Sequence, residues 1–350
     1  MYVDAAEFFI EKGCALTVIA IAPNLGEFAP SFLKAGYRVL HMPFPTSNPL
    51  ALFNYYINFI RFLKRNRIDV VHNHCLNTIL GMALCAWFAN IKCVYTLHNV
   101  YPTRAVTYPY HFFSRWIAKN MFSCKIQSIS DSVYKHELKL YFNKTIKIYN
   151  WYGSRRFYPA EITEKQTMRE KLGIDQNAYV IISVGGCSPV KRHSDIINAL
   201  PIVLKELPNS LYLHLGEGCS TLEELQLAND LFVANKIRFC GNRKNVRDFL
   251  ITSDVYVMPS RFEGIPITTI EAMACSIPAI LYDVPGLRDF NNDGENCILI
   301  PEDYSLLAEK ILFLQRNKRF TVELTTKGRL FVNKYFDMRT NLDKIYDLYN

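Results

Sequence analysis

Short apolar runs alternate with amphipathic segments along the first half of the chain. The predicted strands are ALTVIAIAP (15–23), YRVLHMP (37–43), DVVHNH (69–74), CVYTLHN (93–99) and KIQSIS (125–130), and IKIYN (146–150) closes the series. Between them VDAAEFFIEKG, LALFNYYINFIRFLKRNR and HFFSRWIAKNMF have the spacing of helices that bury one face. Strands that alternate with helices in this way predict a parallel sheet covered on both faces.

The alternation starts again after a polar, irregular segment. The second series of strands is YVIISVGG (179–186), LYLHLGEG (211–218), IRFCG (237–241), DVYVMPS (254–260), PAILYD (278–283) and CILIP (297–301). We therefore predict two doubly wound α/β domains, at 1–155 and 156–335, and a C-terminal helix at 336–350 that returns to the first domain. Ligands of open α/β sheets bind at the carboxyl ends of the strands, so the cleft between the two domains is the expected site.

The chain begins within a predicted helix (residues 4–12), where a domain of this type normally begins with a central strand and a glycine turn. A missing central strand leaves its neighbours with unpaired backbone groups, each costing about 1–3 kcal/mol when buried. That is severe against a total stability of about 5–15 kcal/mol. We expect a form that is incomplete at its N-terminus, with a gap or collapsed edge in the first sheet and poor stability or activity.

The charge of the chain is concentrated in its first half. Residues 1–150 hold 16 Lys/Arg and 7 Asp/Glu, a net charge of +9, whereas residues 151–350 hold 24 and 25, a net charge of −1. This asymmetry favours an anionic partner for the first half, which could be a lipid surface, a phosphorylated acceptor or nucleic acid. A solvated basic surface without a partner is almost as compatible with the charge.

The cysteines and the apolar runs limit the class of protein. Ten cysteines are scattered without a Cys-x-x-Cys pair, which argues against a zinc or disulfide framework. No apolar run reaches the about 18 residues of a membrane-spanning helix, and the acidic N-terminus does not resemble a secretory signal. We expect a protein of the reducing cytoplasm, either soluble or bound at a membrane surface.

The segment SRFEGIPITTIEAMACSIPAI (260–280) places two glutamates eight positions apart among apolar and small residues. A buried strand, VYVMPS, precedes it, and a helix is predicted from Ile267 to Met273, so Glu263 comes before the helix and Glu271 lies on its second turn. The backbone N–H groups of 264–267 are expected to point out of the helix start as donors for hydroxyls or phosphate. Alternatively, Glu263 is a stabilising charge at a helix start, worth about 0.3–1 kcal/mol, and Glu271 forms a salt bridge.

The same segment resembles the Glu-x7-Glu signature of retaining glycosyltransferases of family 4, which have the two-domain GT-B fold. The family pattern is P-S-x-x-E-G-x-P-x-x-x-x-E-A-M-A-x-x-x-P. The matching residues here are Pro259, Ser260, Glu263, Gly264, Pro266, Glu271, Ala272, Met273, Ala274 and Pro278. The resemblance covers nearly the whole chain, including VGGCSPVKRH (184–193) and TLHN (96–99). The chain departs from the family at Gly186, where arginine is frequent, at Ser276 and Cys297, where glycine is usual, and at Asp289, where glutamate is usual.

The resemblance implies a role for individual residues. Glu271 would bind the ribose of a nucleotide-diphosphate sugar, Glu263 the hydroxyls of the sugar, and Lys191 the diphosphate. The implied residues for binding this sugar donor are Gly185, Gly186, Lys191, Arg192, Glu263, Gly264, Ile265, Pro266, Ile267 and Glu271. The implied catalytic residues are Glu263, Lys191 and His98, which would lie near the transferring sugar.

The implied reaction moves a hexosyl unit to a saccharide or lipid-linked acceptor with retention of configuration, in cell-surface polysaccharide or lipid-linked saccharide synthesis. The nucleotide sugar is a co-substrate, and no cofactor, metal or nucleic acid is expected; the chain has no Asp-x-Asp. The alternative is an inactive relative that binds a sugar donor or a partner. An anionic inner membrane surface is a further candidate partner through residues 48–67 and 111–122, which could instead pack on the sheet.

Overall fold

The computed structural model describes residues 1–46, 48–101 and 103–350. The chain divides into two compact units, the first formed by Met1–Asn150 with Met338–Asn350 and the second by Trp151–Asp337. Within each unit the strands pair in parallel and helices connect them. The predicted pair of doubly wound α/β folds is therefore confirmed.

The strands of the first unit form two separate sheets. They are β1 (Thr17–Ala20), β2 (Arg38–His41), β3 (Val70–Asn73), β4 (Lys92–Leu97), β5 (Lys125–Ser128) and β6 (Ile146–Lys147). β1 pairs only with β2, and β3-β4-β5-β6 make a second parallel sheet. Among the described residues no ladder of hydrogen bonds joins the two sheets. The expected gap in the first sheet is present.

Helices hold the two sheets of the first unit together. The helices are α1 (Ala6–Glu11), α2 (Ala29–Lys34), α3 (Pro49–Arg65), α4 (Ile79–Ala89), α5 (Tyr108–Asn120) and α6 (Asp131–Tyr141). Asn48 caps the start of α3, and its side chain accepts hydrogen bonds from the amides of Leu50 and Ala51. Its buried residues and those of α4 form one apolar cluster, against which Ile19 of β1 and Val71 of β3 both pack. Side-chain packing thus connects sheets that share no backbone hydrogen bonds.

The second unit has one continuous sheet. Its strands are β7 (Tyr179–Val184), β8 (Ser210–Leu215), β9 (Ile237–Gly241), β10 (Val255–Met258), β11 (Ala279–Tyr282) and β12 (Ile298–Ile300). The spatial order is β12-β11-β10-β7-β8-β9. The chain therefore extends the sheet in one direction from β7 to β9 and in the other direction from β10 to β12. Such a reversal of strand order is where open α/β sheets bind their ligands.

The remaining helices complete both units. The second unit contains α7 (Ile162–Lys171), α8 (His193–Glu206), α9 (Thr221–Asp230), α10 (Val246–Leu250), α11 (Ile267–Ala274), α12 (Tyr304–Arg316) and α13 (Lys318–Tyr335). The last helix, α14 (Met338–Tyr349), groups with the first unit, where Lys125 donates a hydrogen bond to the carbonyl of Leu348 at 2.8 Å. None of the described helices combines the length and apolar character needed to cross a membrane.

Candidate active site

Two loops meet at the centre of the second sheet. Lys191 follows β7 and Glu263 follows β10, and these strands are neighbours. The Nζ of Lys191 lies 2.6 Å from Oε1 of Glu263, with both side chains largely buried. The structure therefore brings together two residues that are 72 positions apart in the sequence and that the sequence predicts to act in one site.

Backbone contacts fix the loop that carries Glu263. The amide of Arg261 donates to the carbonyl of Val190 at 2.8 Å, and the amide of Glu263 donates to the carbonyl of Pro285 at 2.9 Å. Gly286 has a φ of +83°, and a Cβ there would lie 2.2 Å from the carbonyl oxygen of Glu263. Only glycine permits this approach, so the loops after β7 and β11 hold the loop of Glu263 in place through backbone contacts.

The helix α11 begins at the same edge of the sheet. Thr268 donates a hydrogen bond to the carbonyl of Val184 at 3.1 Å, and Thr269 donates to the hydroxyl of Tyr256 at 3.1 Å. These bonds place the start of α11 beside the end of β7. The amides of Thr269 and Ile270 donate to the carbonyl of Pro266, which leaves those of Ile267 and Thr268 as a potential site for phosphate or hydroxyl oxygens. The three residues before it, Gly264, Ile265 and Pro266, are buried.

Glu271 lies on α11 at the predicted position and is half-buried. Burial raises the pKa of Tyr256, and the charges of Glu263 and Glu271 raise it further. The negative charges of both carboxylates thus act on the pKa of the same buried phenol, that of Tyr256.

Glycines shape the loop that carries Lys191. A Cβ at Gly185 would lie 3.5 Å from Cε of Lys191, so the lysine side chain passes directly over this glycine. A Cβ at Gly216 would lie 2.0 Å from the carbonyl oxygen of Gly185, which explains the glycine at the end of β8. At Gly186 a Cβ would lie 3.2 Å from the carbonyl oxygen of Glu217, so a larger residue there requires a small shift.

Arg192 has different partners from Lys191. Its guanidinium lies 2.8 Å from Oδ2 of Asp195 and also pairs with Glu302. The backbone of Arg192 is left-handed, with a φ of +52°. The structure therefore places Arg192 in a separate ion-pair cluster and does not bring its guanidinium to the Lys191–Glu263 pair.

His98, the predicted catalytic residue of the first unit, follows β4. Its Nε2 lies 2.9 Å from Nδ1 of His74, and the Nε2 of His72 lies 2.6 Å from the hydroxyl of Thr96. Burial lowers the pKa of His98 to about 4 and that of His72 to about 3. These histidines are neutral near pH 7, so His98 can donate or accept one hydrogen bond but supplies no positive charge.

A pocket of ≈ 210 Å³ lies beside this strand end in the first unit. Its lining includes Asn99, Tyr101, Arg115, Glu137 and Tyr141. Arg115 and Glu137 form a buried ion pair at 2.8 Å. None of these five residues was predicted from the sequence, although a charged residue inside the apolar helix HFFSRWIAKNMF was a signal that could have identified Arg115.

Two families match adjoining parts of the chain. The family described as Glycosyltransferase Family 4 matches residues 2–160, and the family described as Glycosyl transferases group 1 matches residues 164–331. The first match lies in the first unit and a short part of the second, and the second match lies wholly in the second unit. Together the two matches span nearly the whole chain.

Curated relatives cover most of the chain at low identity. The N-acetyl-alpha-D-glucosaminyl L-malate synthase of Bacillus anthracis is 26% identical over 284 residues, which cover 78% of this chain and 72% of the relative. The UDP-Gal:alpha-D-GlcNAc-diphosphoundecaprenol alpha-1,3-galactosyltransferase of Escherichia coli is 24% identical over 305 residues, covering 84% and 78%. Both relatives carry names of enzymes that transfer or attach sugars.

A solved structure shares the fold. Anabaena HepE in complex with UDP-glucose superimposes with a TM-score of 0.83 at 19% identity, and the match covers 99% of this chain and 93% of that one. At this identity the likeness establishes the architecture alone. Its 19% identity does not identify the residues that act in the site.

Proposed function

The chain belongs to the GT-B glycosyltransferases of group 1 and family 4, and from this premise we propose that it transfers a hexosyl unit from a uridine-diphosphate sugar with retention of configuration. The acceptor is the hydroxyl of a saccharide or lipid-linked saccharide. The observation that carries the proposal is the Lys191–Glu263 pair, held at 2.6 Å where the strand order of the second sheet reverses.

In this reaction Lys191 and Glu263 bind different parts of the sugar donor. Without ligand, each compensates the charge of the other. The diphosphate attracts the lysine through a charge-assisted hydrogen bond, and sugar hydroxyls donate to the released carboxylate. Glu271 accepts from the ribose hydroxyls, and the first amides of α11 bind phosphate or sugar oxygens. Donor binding therefore exchanges one internal ion pair for several contacts with the ligand.

Catalysis rests on positioning and on stabilising the charge of the leaving diphosphate. Lys191 and the start of α11 supply that charge stabilisation, so we propose that transfer needs no divalent metal. The leaving phosphate accepts the proton of the attacking hydroxyl. His98, neutral at pH 7, contributes a single hydrogen bond to the transferring sugar rather than a charge.

A uridine nucleotide is supported by names among the relatives. The name of the Escherichia coli relative includes UDP-Gal, and the HepE structure contains UDP-glucose. The same relative acts on a sugar attached to diphosphoundecaprenol, which supports a lipid-linked acceptor here. UDP-galactose, UDP-glucose and UDP-N-acetylglucosamine are therefore the first sugar donors to test.

We also propose that the first unit docks on an anionic membrane surface. The helices α3, α4 and α5 pack side by side and expose large apolar side chains. The exposed side chains are Leu50, Phe53, Trp87, Phe88, Phe113, Trp116 and Met121. α3 also ends in two basic residues, Lys64 and Arg65. Aromatic side chains flanked by basic residues bind the interface of anionic bilayers, where each basic residue near the surface contributes about 1 kcal/mol.

The reaction is tested with purified protein and a panel of nucleotide sugars. Calorimetry should show binding of a UDP-hexose, and incubation with a polyprenyl-diphosphate saccharide should give a product whose new linkage has the anomeric configuration of the donor. A short treatment with a chelator should leave the rate unchanged. Absence of binding to every nucleotide sugar would overturn the proposal, and an inverted product or a need for added Mg²⁺ would overturn its mechanism.

Membrane docking is tested by sedimentation with vesicles. Binding should increase with the fraction of phosphatidylglycerol and decrease with salt. The double variant Phe53→Ser, Trp116→Ser should lose most of the binding, whereas Val322→Ser, which removes a similarly exposed apolar side chain from the second unit, should retain it. No binding to anionic vesicles at low salt would exclude docking and leave the transfer reaction unaffected.

A further inference from the structure

Four buried side chains with metal-binding chemistry meet in the second unit. Cys187 lies in the loop after β7, His193 is the first residue of α8, His214 is on β8 and Glu224 is on α9. One ligand atom from each lies within 4.8 Å of the others. Every one of the four residues is at most 4% exposed.

Three contacts in this cluster are close to the ligand spacing of a tetrahedral metal site, although they involve both ring nitrogens of His214. Sγ of Cys187 is 3.5 Å from Nε2 of His214. The two carboxylate oxygens of Glu224 lie 3.5 Å from Nδ1 of His193 and 3.4 Å from Nδ1 of His214. Zinc bonds of about 2.0–2.1 Å to nitrogen or oxygen and about 2.3 Å to sulfur place neighbouring ligand atoms about 3.3–3.6 Å apart.

Several polar atoms of the cluster are buried without a hydrogen bond. They are both ring nitrogens of His193, Nδ1 of His214 and Oε2 of Glu224. A buried polar group without a partner costs about 1–3 kcal/mol. A cation at the centre of the cluster would bind one lone pair from each imidazole and from the carboxylate, and would also offset the charge of the carboxylate.

We propose that Cys187, His193, His214 and Glu224 bind one zinc ion. A thiolate with imidazoles and a carboxylate is a ligand set that suits zinc. One thiolate and one carboxylate neutralise the two charges of the ion, so the loaded cluster is neutral. Binding releases the thiol proton. Only one nitrogen of His214 can bind the ion, and Nε2 is the one that lies near Cys187, so zinc binding would require the Glu224 carboxylate to turn from Nδ1 toward Nε2.

The ion has a structural role. All four positions of a tetrahedron are filled by protein, which leaves no open position for a substrate. Cys187 and His193 flank Lys191 in the sequence, so the ion would fasten both ends of the loop that carries this lysine. The site does not depend on the proposed reaction, since zinc content is measured without substrate. A buried ion also exchanges slowly, so a short chelator treatment removes only loosely bound metals.

The same geometry contains a Cys187–His214–Glu224 arrangement like that of a nucleophilic triad. The cysteine is only 1% exposed, however, and His214 is 0% exposed. A nucleophile must reach its substrate, and these residues are closed off by the sheet and its helices. Burial therefore favours a structural ion over covalent catalysis.

The proposal is tested first on the unaltered chain. Protein prepared without a polyhistidine tag should contain about one zinc ion per chain by elemental analysis. Replacement by Co²⁺ after prolonged chelation should give the absorption of a tetrahedral ion together with a thiolate-to-cobalt charge-transfer band. Protein that contains almost no zinc, and that takes up neither Zn²⁺ nor Co²⁺ from a competing indicator dye, would overturn the proposal.

A matched pair of cysteine variants tests the ligand set. Cys187→Ser should abolish the charge-transfer band and weaken zinc binding by at least about 100-fold, more than the loss of an outer-shell partner typically causes. Cys297→Ser is the control, because Cys297 is also buried in the second unit and its Sγ lies 3.2 Å from Oδ1 of Asn291, outside the cluster. If Cys187→Ser retains the band, or Cys297→Ser loses it, the assignment is wrong.

Discussion

The two units have similar α/β folds, but they differ in how their strands and loops are held together. The second unit has a continuous six-stranded sheet, and the loops that follow its strands contact one another through their backbones. Gly216 and Gly286 lie at two of these close approaches. In the first unit the sheet is interrupted, and the side chains of α3 and α4 pack against both of its parts. The second unit therefore positions its site through the backbone, and the first unit through side chains.

This difference determines which changes each unit tolerates. A site held by backbone contacts keeps its geometry when surface side chains change, but it cannot accept a Cβ at a close approach. An interrupted sheet joined by packing depends on the volume of its apolar side chains and on neutral buried histidines. Comparing matched substitutions in the two units separates these two kinds of support.

The largest expected effect is on catalysis in the second unit. Glu263→Ala should abolish transfer, Lys191→Ala should reduce kcat about 10²-fold or more through lost charge stabilisation, and Glu271→Ala should mainly weaken binding of the sugar donor. Circular dichroism should show that each variant is folded, and Lys327→Ala on the exposed face of α13 serves as the control. Full activity of both the Glu263 and Lys191 variants would end the assignment of this site.

The next effect contrasts two glycines with similar backbone angles. Gly286→Ala places a Cβ 2.2 Å from a carbonyl oxygen, whereas Gly13→Ala in the first unit meets no atom within 4 Å, although both glycines have φ near +80°. Both variants carry the left-handed strain of about 1 kcal/mol. The clash should cost Gly286→Ala a further 1–3 kcal/mol or so. Urea unfolding should therefore show a clearly larger loss for Gly286→Ala, and equal losses would contradict backbone control of the site.

The sequence predicted the second unit better than the first. Glu263 and Lys191 lie in local motifs that follow neighbouring strands, and parallel strands bring their carboxyl ends to one edge, so the proximity of these two residues followed from the pattern. The ion pair between Lys191 and Glu263 and the separate partners of Arg192 could not be predicted. They depend on side-chain directions and on where β12 and its neighbours place Glu302.

The features that the sequence did not predict are mainly contacts between segments far apart in the chain. The metal-binding cluster draws its four residues from four elements, and none of the short spacings that mark zinc sites occurs in the sequence. The pairing of His74 with His98 likewise depends on the register of β3 and β4, which the sequence did not reveal. The gap in the first sheet was predictable, because the alternation of strands and helices can be counted along the chain.

An intermediate effect is expected from the neutral histidines of the first unit. The pKa of His98 is about 4 in the folded protein, below its ordinary value of about 6.5, and burial also lowers the pKa of His72 and His74. Below pH 6.5 the unfolded chain binds protons that the folded chain does not. Stability is therefore fully present above about pH 6.5 and decreases as the pH falls toward 4, by on the order of 3 kcal/mol for His98 alone.

The variant His98→Gln isolates this contribution, because glutamine keeps a hydrogen-bonding group but does not titrate. Free energies of unfolding measured between pH 7 and pH 4.5 should fall less steeply for the variant than for the unaltered chain. The carboxylates titrate in both proteins and cancel in the difference. If the free energy of unfolding falls equally steeply with pH in both proteins, His98 is accessible to protons in the folded state.

The smallest effect concerns the end of α11, where the chain departs from the glycine that is usual in its family. Ser276 has a φ of +59°, and the amides of Ser276 and Ile277 donate to the carbonyls of Met273 and Ala272 at 3.0 Å. A residue with a side chain is disfavoured in this left-handed conformation by about 1–2 kcal/mol, whereas glycine adopts it freely. Glycine also increases the conformational entropy of the unfolded chain, which offsets part of this gain. Ser276→Gly should therefore stabilise the second unit by about 0.5–1 kcal/mol.

The first unit offers a matched control at the end of α4. Asn90 has a φ of +57°, and the amides of Asn90 and Ile91 donate to the carbonyls of Trp87 and Ala86 at 3.0 Å, in the same arrangement. Asparagine tolerates the left-handed conformation better than serine, so Asn90→Gly should gain only a few tenths of a kcal/mol. Thermal unfolding of both variants measures the difference. A gain from Asn90→Gly equal to that from Ser276→Gly would mean that the serine carries no particular strain at the helix that bears Glu271.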